Sequence, residues 1–336
     1  MADRITRRRA IRISAAAAGL ALCPLGTARA AGVGAATWRG TAMGAAATIE
    51  IHHPDRAFAQ RLIARAVAEA ARLERRFSLY RADSDLVSLN KTGVLIAPAP
   101  ELVDLLSQSL HYSKLTEGAF DVTVQPLWET YWRHFTMPDA KATGPAAGTI
   151  ASAAERVGHE HLLVNRDRIA FAKSGMGVTL NGIAQGYITD RVTDLLRSEG
   201  IAQTLVDMGE ARCIGTHPSG RPWNVAIAEP DNAGRARQTI PLIDQAVATS
   251  GAYGFRFDRD GRFNHLFDPK TGASAQAYRS VTVVAPTATA ADALSTAFSL
   301  MPPHDIDRTL DQLHEVSAYL LLNNGKMVER QSPRAS

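Results

Sequence analysis

Apolar residues recur at helical spacing along much of the chain, separated by short apolar or alternating runs of strand length. After Pro54-Asp55, the residues Ala59, Leu62, Ile63, Ala66, Val67, Ala70 and Leu73 fall on one face of a helix running to Phe77, with Asp55 as its N-cap. A short helix starts at Ser84-Asp85 and ends at Asn90. A second amphipathic helix spans Pro98 to Leu115 and stops at Thr116-Glu117-Gly118, where Gly118 suits the left-handed position beyond a helix end. Further helices run through Trp128, Tyr131 and Trp132, from Tyr187 to Leu196, from Thr287 to Leu300 and from His304 to Leu313. Strand patterns cover Thr37 to Ile51 (broken at Gly44), a hairpin of 162–171 with 174–180, Ala202 to Ile214 around Gly209, and Trp223 to Ala228. Others are Ala246 to Ser250, Arg262 to Phe267, Ser280 to Ala285 and the hairpin Ala318 to Val328, turning at Asn323-Asn324-Gly325. Residues 136–151, rich in Pro, Gly and Ala, read as a surface loop or linker between lobes. The pattern does not give the order of the strands.

Composition sets the scale. The 336 residues are 46% hydrophobic and 21% charged, enough for a large core in one domain or two closely packed lobes. The N-terminus reads as a leader. Arg7-Arg8-Arg9 precede an apolar, alanine-rich run from Ile13 to Leu22, and Ala28-Arg29-Ala30 supplies a small-x-small cleavage pattern. The run is too short to span a membrane comfortably. A twin-arginine leader over residues 1–30 implies export of a folded bacterial protein to the periplasm, with residues 31–336 as the mature chain. That leader holds six arginines and one aspartate, so removing it from 37 basic and 33 acidic residues leaves 31 against 32. The basic balance is therefore the leader's, and nothing points to nucleic acid or to stable membrane insertion of the mature chain. Only Cys213 remains, which excludes an intramolecular disulfide and a cysteine-built zinc site.

Three stretches carry candidate chemistry. Thr179 to Arg191 (TLNGIAQGYITDR) reads as a strand, a turn with Gly182 and Gly186, and a helix start. Such a turn is either an ordinary strand-to-helix connection or a cradle for an anion at the helix N-terminus, and its spacing matches neither a dinucleotide fingerprint nor a P-loop. Asp292 and Thr296 lie four apart on one helix, so their oxygens share a face. They either make a hard oxygen site suited to Mg²⁺, or leave Asp292 as a favourable first-turn charge with Thr296 in the core. His265 runs into the turn Asp268-Pro269-Lys270-Thr271-Gly272 and is a candidate base. His159-Glu160-His161 reads as a solvated turn, since no third metal ligand stands near it in sequence.

Taken together, Met43-Gly44, Phe77-Ser78-Leu79-Tyr80, Ser84…Asn90, Gly118-Ala119-Phe120-Asp121, Gly182-Ile183-Ala184-Gln185-Gly186-Tyr187…Asp190, Ser250-Gly251, His265…Gly272 and Ala291-Asp292-Ala293-Leu294-Ser295-Thr296 resemble, in this order, the FAD:protein FMN transferase (ApbE) family. The leader, the wording Asn181 to Tyr187 and Val206-Asp207-Met208-Gly209-Glu210 look most like its NosX branch, which serves nitrous oxide respiration. The resemblance implies an α+β body with two lobes and a flavin cleft between them. It implies Mg²⁺-dependent transfer of FMN from FAD to a Thr or Ser hydroxyl of a flavoprotein domain, NosR-type for this branch, with release of AMP. By the same resemblance FAD would contact Met43, Tyr80, Ala119, Phe120, Asp121, Thr179, Gln185 and Leu266. The metal would be held by Gly182, Asp292, Ser295 and Thr296, and His265 would activate the acceptor hydroxyl. A metal-dependent FAD pyrophosphatase and a non-catalytic FAD-binding accessory are the competing readings. The chain departs from the family pattern at Gln185, where lysine is usual, at Thr179, where aspartate is common, and at Glu210-Ala211, in a glycine-rich position. Gln185 can donate a hydrogen bond but supplies no charge.

Overall fold

The computed structural model describes residues 35–230 and 232–333, together with Leu20–Ala21; the rest of the leader expected over residues 1–30 lies outside the described residues. The strands, in chain order, are β1 (Leu20–Ala21), β2 (Ala35–Ala42), β3 (Ala45–His52), β4 (Val94–Ile96), β5 (Leu162–Val164), β6 (Arg168–Phe171) and β7 (Thr204–Asp207). They continue with β8 (Ala211–Ile214), β9 (Trp223–Glu229), β10 (Asn232–Leu242), β11 (Ala246–Ser250), β12 (Tyr278–Ala285), β13 (Ser317–Leu322) and β14 (Met327–Gln331). Eight of them form one antiparallel sheet in the order β14-β13-β12-β11-β8-β7-β3-β2. Two three-stranded sheets, β1-β9-β10 and β4-β6-β5, flank it. The α+β class expected from sequence is what the structure shows.

The helices are α1 (Arg56–Phe77), α2 (Asp85–Thr92), α3 (Pro100–Leu115), α4 (Gln125–Thr136), α5 (Ala147–Ala154), α6 (Ala184–Ser198), α7 (Ala288–Phe298) and α8 (Pro303–Leu310). Asp55 caps α1 by accepting the Phe58 N–H at 2.9 Å, and the predicted apolar stripe is its buried face. That stripe packs with Ile49 and Ile51 of β3, and with α3, α6 and α7, in the principal core on one face of the large sheet. On the other face, Trp223, Val225, Ile227, Ile240 and Leu242 of the β9–β10 ribbon cover Leu205, Cys213 and Val247. Burial pushes the Cys213 thiol up to about 11, so it is an inert core residue. A third, aromatic core joins Leu127 and Tyr131 of α4 to Phe255, Phe257 and Phe267. It forms a smaller body beside the main one. No helix among the described residues is long and apolar enough to cross a membrane.

Four local expectations need correction. The run Thr37 to Ile51 is a hairpin rather than one broken strand. Met43 (φ 50°) and Gly44 (φ 78°) both take positive φ, as a two-residue turn of the primed type demands. Residues 174–180 are not a strand. The Val178 amide donates to Asn90 Oδ1 at 2.7 Å and its carbonyl accepts from Asn90 Nδ2 at 2.8 Å, while Thr179 N–H bonds the Val122 carbonyl at 2.8 Å. The partner of β6 on that side is β4. Residues 262–267 form only isolated bridges, Arg256 with Asn264 and Phe267 with Ser274. Finally, residues 136–151 include the start of α5, and the ribbon strand β10 was not anticipated.

Candidate active site

Helix α7 is fixed to α6 at two points. Asp190 of α6 accepts the Ala288 and Thr289 amides, both at 2.8 Å, and so caps the start of α7 from a neighbouring helix. Arg212 of β8 donates to the same carboxylate at 2.8 Å and keeps it paired inside the protein. One turn earlier on α6, the Gly186 N–H donates to Asp292 Oδ2 at 3.0 Å. Both glycines of the sequence motif are needed for this approach. A Cβ on Gly186 would run into the Ala288 carbonyl and lie 2.8 Å from Asp292 Cβ; one on Gly182 would lie 2.8 Å from Thr296 Oγ1. The Gly182–Gly186 turn thus serves to bring α6 against α7, and its Gly186 amide is engaged by a carboxylate of the chain itself.

The junction opens onto a cleft between the principal core and the aromatic one. Its wall includes Ala119, Phe120, Asp121, Thr179, Gly182, Gln185, His265, Leu266, Asp292 and Thr296, ten of the residues singled out from sequence. Three others stand outside that wall. Met43 is packed into the principal core at its hairpin turn. Tyr80 is exposed, and its side chain hydrogen-bonds Asn181, which does line the cleft. Ser295 is fully buried behind it, its hydroxyl donating to the Asp292 carbonyl at 3.0 Å and lying 2.8 Å from Ser250 Oγ.

Asp121 is at the cleft, but its carboxylate is used to fold the loop around it. Oδ1 accepts the Thr123 N–H at 2.7 Å and the Thr123 hydroxyl at 2.6 Å, and Oδ2 accepts the His159 N–H at 2.8 Å. What residues 119–121 present to a ligand is therefore largely backbone. His159 is not the freely solvated residue expected: its Nδ1 lies 3.3 Å from Asp121, which raises its pKa above the ordinary value.

Sequence reasoning did not assign two further wall residues, Ser250 and Glu210. Ser250 Oγ lies 3.3 Å from Thr296 Oγ1 and joins the same oxygen cluster. Glu210 is 1% exposed and its Oε2 has no hydrogen-bond partner. Burial, reinforced by the charges of Asp292 and Asp207, holds its carboxyl well above the usual range. Burial likewise pushes Asp292 up to about 7 and Asp207 up to about 6. No lysine or arginine lines the cleft among the described residues. The side of it that carries Asp292, Glu210, Ser250 and Thr296 is thus rich in carboxyl and hydroxyl oxygens. The Asp292 carboxylate and the Ser250 and Thr296 hydroxyls, with Gly182 beside Thr296, form a donor set that fits a hard divalent cation such as Mg²⁺.

His265 stands on the same wall with opposite character. Its Nδ1 lies 3.2 Å from the Phe255 carbonyl, an acceptor, so the proton sits on Nδ1 and the Nε2 lone pair is left over. Burial pushes its pKa down to about 4, leaving the ring neutral at pH 7.

The chain is similar to known proteins over most of its length. The profile of the ApbE family matches residues 43–320. A Klebsiella pneumoniae protein named FAD:protein FMN transferase is 31% identical over 297 residues, covering 85% of this chain and 84% of that protein. An Escherichia coli protein of the same name is 30% identical over 259 residues, covering 74% and 73%. The crystal structure of the Thermotoga maritima ApbE protein superposes with a TM-score of 0.78 at 27% identity, over 89% of this chain and 97% of that one. The apo form of Pseudomonas stutzeri flavinyl transferase ApbE gives 0.75 at 28% identity, over 89% and 95%. Sequence, fold and cleft together make this chain a member of the ApbE family.

Proposed function

We propose that the protein is an FAD:protein FMN transferase that moves the FMN half of FAD onto a threonine or serine hydroxyl of an acceptor flavoprotein domain, releasing AMP. The observation that carries this reading is one cleft holding a neutral imidazole, with Nε2 left over, and a cluster of carboxylate and hydroxyl oxygens whose chemistry suits a hard cation. In the proposed reaction the acceptor oxygen forms a bond to the FMN-side phosphorus, and the bond from that phosphorus to the bridging oxygen breaks. The hydroxyl proton goes to His265 Nε2, and AMP carries the bridging oxygen away. Asp292, Thr296 and the Gly182 carbonyl, with Ser250 beside them, would hold Mg²⁺, which neutralises charge developing on the diphosphate. Gln185 would orient the diphosphate by hydrogen bonding, without the charge a lysine would bring. Its side chain lies against Gly209, where a Cβ would collide with Nε2. The proposed acceptor is the flavin domain of a NosR-type membrane protein, met in the periplasm after export of the folded chain by the twin-arginine route.

Purified protein incubated with FAD, Mg²⁺ and a soluble NosR-type flavin domain should give a fluorescent acceptor band on a denaturing gel, with AMP in solution. AMP with free FMN and a dark acceptor would instead make the protein a pyrophosphatase. Intact FAD would favour the accessory role.

A further inference from the structure

Away from the cleft, Glu50, His52 and His217 each place one ligand atom so that all three lie within 4.8 Å of one another. Their meeting follows from the fold. In β3 successive side chains alternate between faces. Ile49 and Ile51 enter the principal core, so Glu50 and His52 stand on the opposite face, the one covered by the β9–β10 ribbon. His217 comes to them from the turn joining β8 to β9. That turn is closed by the His217 N–H bonding the Arg221 carbonyl at 2.9 Å and the Gly220 N–H bonding the His217 carbonyl at 2.8 Å. Ser219 engages Nδ1 of His217, its Oγ at 2.9 Å, so Nε2 is that ring's remaining ligand atom. His52 Nε2 lies 2.6 Å from Glu50 Oε1, while its Nδ1 is buried with no partner, in a side chain only 10% exposed. The two imidazole rings are 5.6 Å apart, and Trp223 flanks both at 6.0 and 5.1 Å.

We propose that Glu50, His52 and His217 form a binding site for one divalent transition-metal ion of borderline softness, Zn²⁺ or Cu²⁺. Two imidazoles and one carboxylate are a donor set these ions favour and Mg²⁺ does not. None of the three residues lines the cleft, where Asp292, Thr296 and Ser250 offer carboxylate and hydroxyl oxygens. The two sites therefore sort ions by chemistry, a hard cation in the cleft and an imidazole-seeking one here. Donors on a four-coordinate zinc with bonds of roughly 2.0–2.2 Å stand roughly 3.3–3.6 Å apart, so the 2.6 Å Glu50–His52 pair must open while the wider separations close. Glu50 and His217 are both half-buried and can supply that movement by side-chain rotation. A bound ion would tie β3 to the β8–β9 turn and so clip the ribbon onto the large sheet. Three protein ligands leave a fourth position for water.

The test is a calorimetric titration of the whole purified chain with Zn²⁺ in excess Mg²⁺, alongside Cu²⁺ quenching of tryptophan fluorescence. One Zn²⁺ per chain should bind, in the wild type and equally in Asp292→Ala. His217→Ala should weaken it at least about tenfold, and so should His52→Gln. Trp223→Phe should keep Zn²⁺ binding while losing most of the Cu²⁺ quench, since that ring is the one beside the site. His217 lies in a surface turn, so its variant decides the matter even where His52→Gln fails to fold. Failure to bind Zn²⁺, equal binding by wild type and His217→Ala, or loss of binding in Asp292→Ala would each overturn the proposal.

Discussion

His265 holds a proton on Nδ1 through the Phe255 carbonyl and sits in surroundings that disfavour its charged form. Its pKa is depressed from the ordinary 6.5 to about 4. The sign of the linkage follows: its contribution to stability is present above pH 6.5 and is lost as pH falls through about 4. Transfer rate at saturating Mg²⁺ should accordingly stay flat from pH 7 to about 5, with no limb at 6.5, when followed by acceptor fluorescence. A limb at 6.5 would show that the ring titrates as it does in water. His265→Asn should cut the rate by roughly 10²–10⁴ and leave FAD affinity unchanged in an equilibrium titration, because the residue acts on a proton. Glu210 works in the other direction. Its folded pKa lies above the ordinary 4.5, so the folded state retains a proton that the unfolded state gives up as pH rises. Glu210→Gln keeps the shape without the latent charge. In metal-free protein it should match the wild type in melting temperature at pH 4.5 and exceed it by a margin that widens towards pH 8. A gap that stays constant with pH would mean the carboxyl is ionised in the fold.

At the scale of elements, the α6–α7 lock decides where Asp292 points. A methyl at position 186 collides with the Ala288 carbonyl, which is backbone and cannot swing aside. Gly186→Ala should therefore cost about 1–3 kcal/mol in chemical denaturation and abolish transfer, since the amide bond to Asp292 is lost when α6 moves away. Wild-type activity in that variant would refute the lock. This junction was legible in the sequence because its parts are local: two glycines in one turn, and Asp292 and Thr296 one helical turn apart. Helices α1 and α3 were legible for a similar reason, since their burial repeats with the helical period. Residues 174–180 and 262–267 were misread because their backbone is satisfied by single side chains. Asn90 brackets Val178, and Asn264 bonds the Ala275 carbonyl at 2.8 Å and the Leu266 amide at 3.0 Å. A lone asparagine leaves no periodic trace. Strand β10 was overlooked because Arg235 and Arg237 give it a polar composition, and the ribbon buries mainly its Ile240–Leu242 end. Glu210 and Ser250 acquire meaning only when β8 and β11, strands adjacent in the sheet, bring them to Asp292 and Thr296. Resemblance pointed to Met43 and Tyr80 as flavin contacts and to Ser295 as a metal ligand, and all three stand outside the cleft wall.

In the whole molecule, the cleft lies where the principal core meets the aromatic one. Asp292, Thr296 and Gly182 come from the first, while Trp128 and Phe267 come from the second. A ligand that fills the cleft contacts both bodies and exists only on the folded chain, so it must raise the melting temperature by mass action. The charges specify how. In the proposed reaction the FAD diphosphate would lie beside Asp292 and Glu210, in a cleft with no lysine or arginine on its wall among the described residues. Mg²⁺ alone must displace the proton that burial favours on Asp292, and FAD alone must face the carboxyls. Binding should therefore be strongly reciprocal, FAD and Mg²⁺ each tightening the other by the same factor. At concentrations of about 100 times their joint Kd, the pair should add about 2.7 kcal/mol. For a chain of this size that is a rise of several degrees, roughly 2–4 °C per kcal/mol. Either ligand alone should give a small fraction of it. Asp292→Ala should remove the synergy and leave whatever shift FAD produces by itself. If FAD alone gives the full rise and Mg²⁺ adds nothing, then Gln185 and the backbone of residues 119–121 hold the diphosphate without a cation, and the acidic end of the cleft serves the acceptor instead.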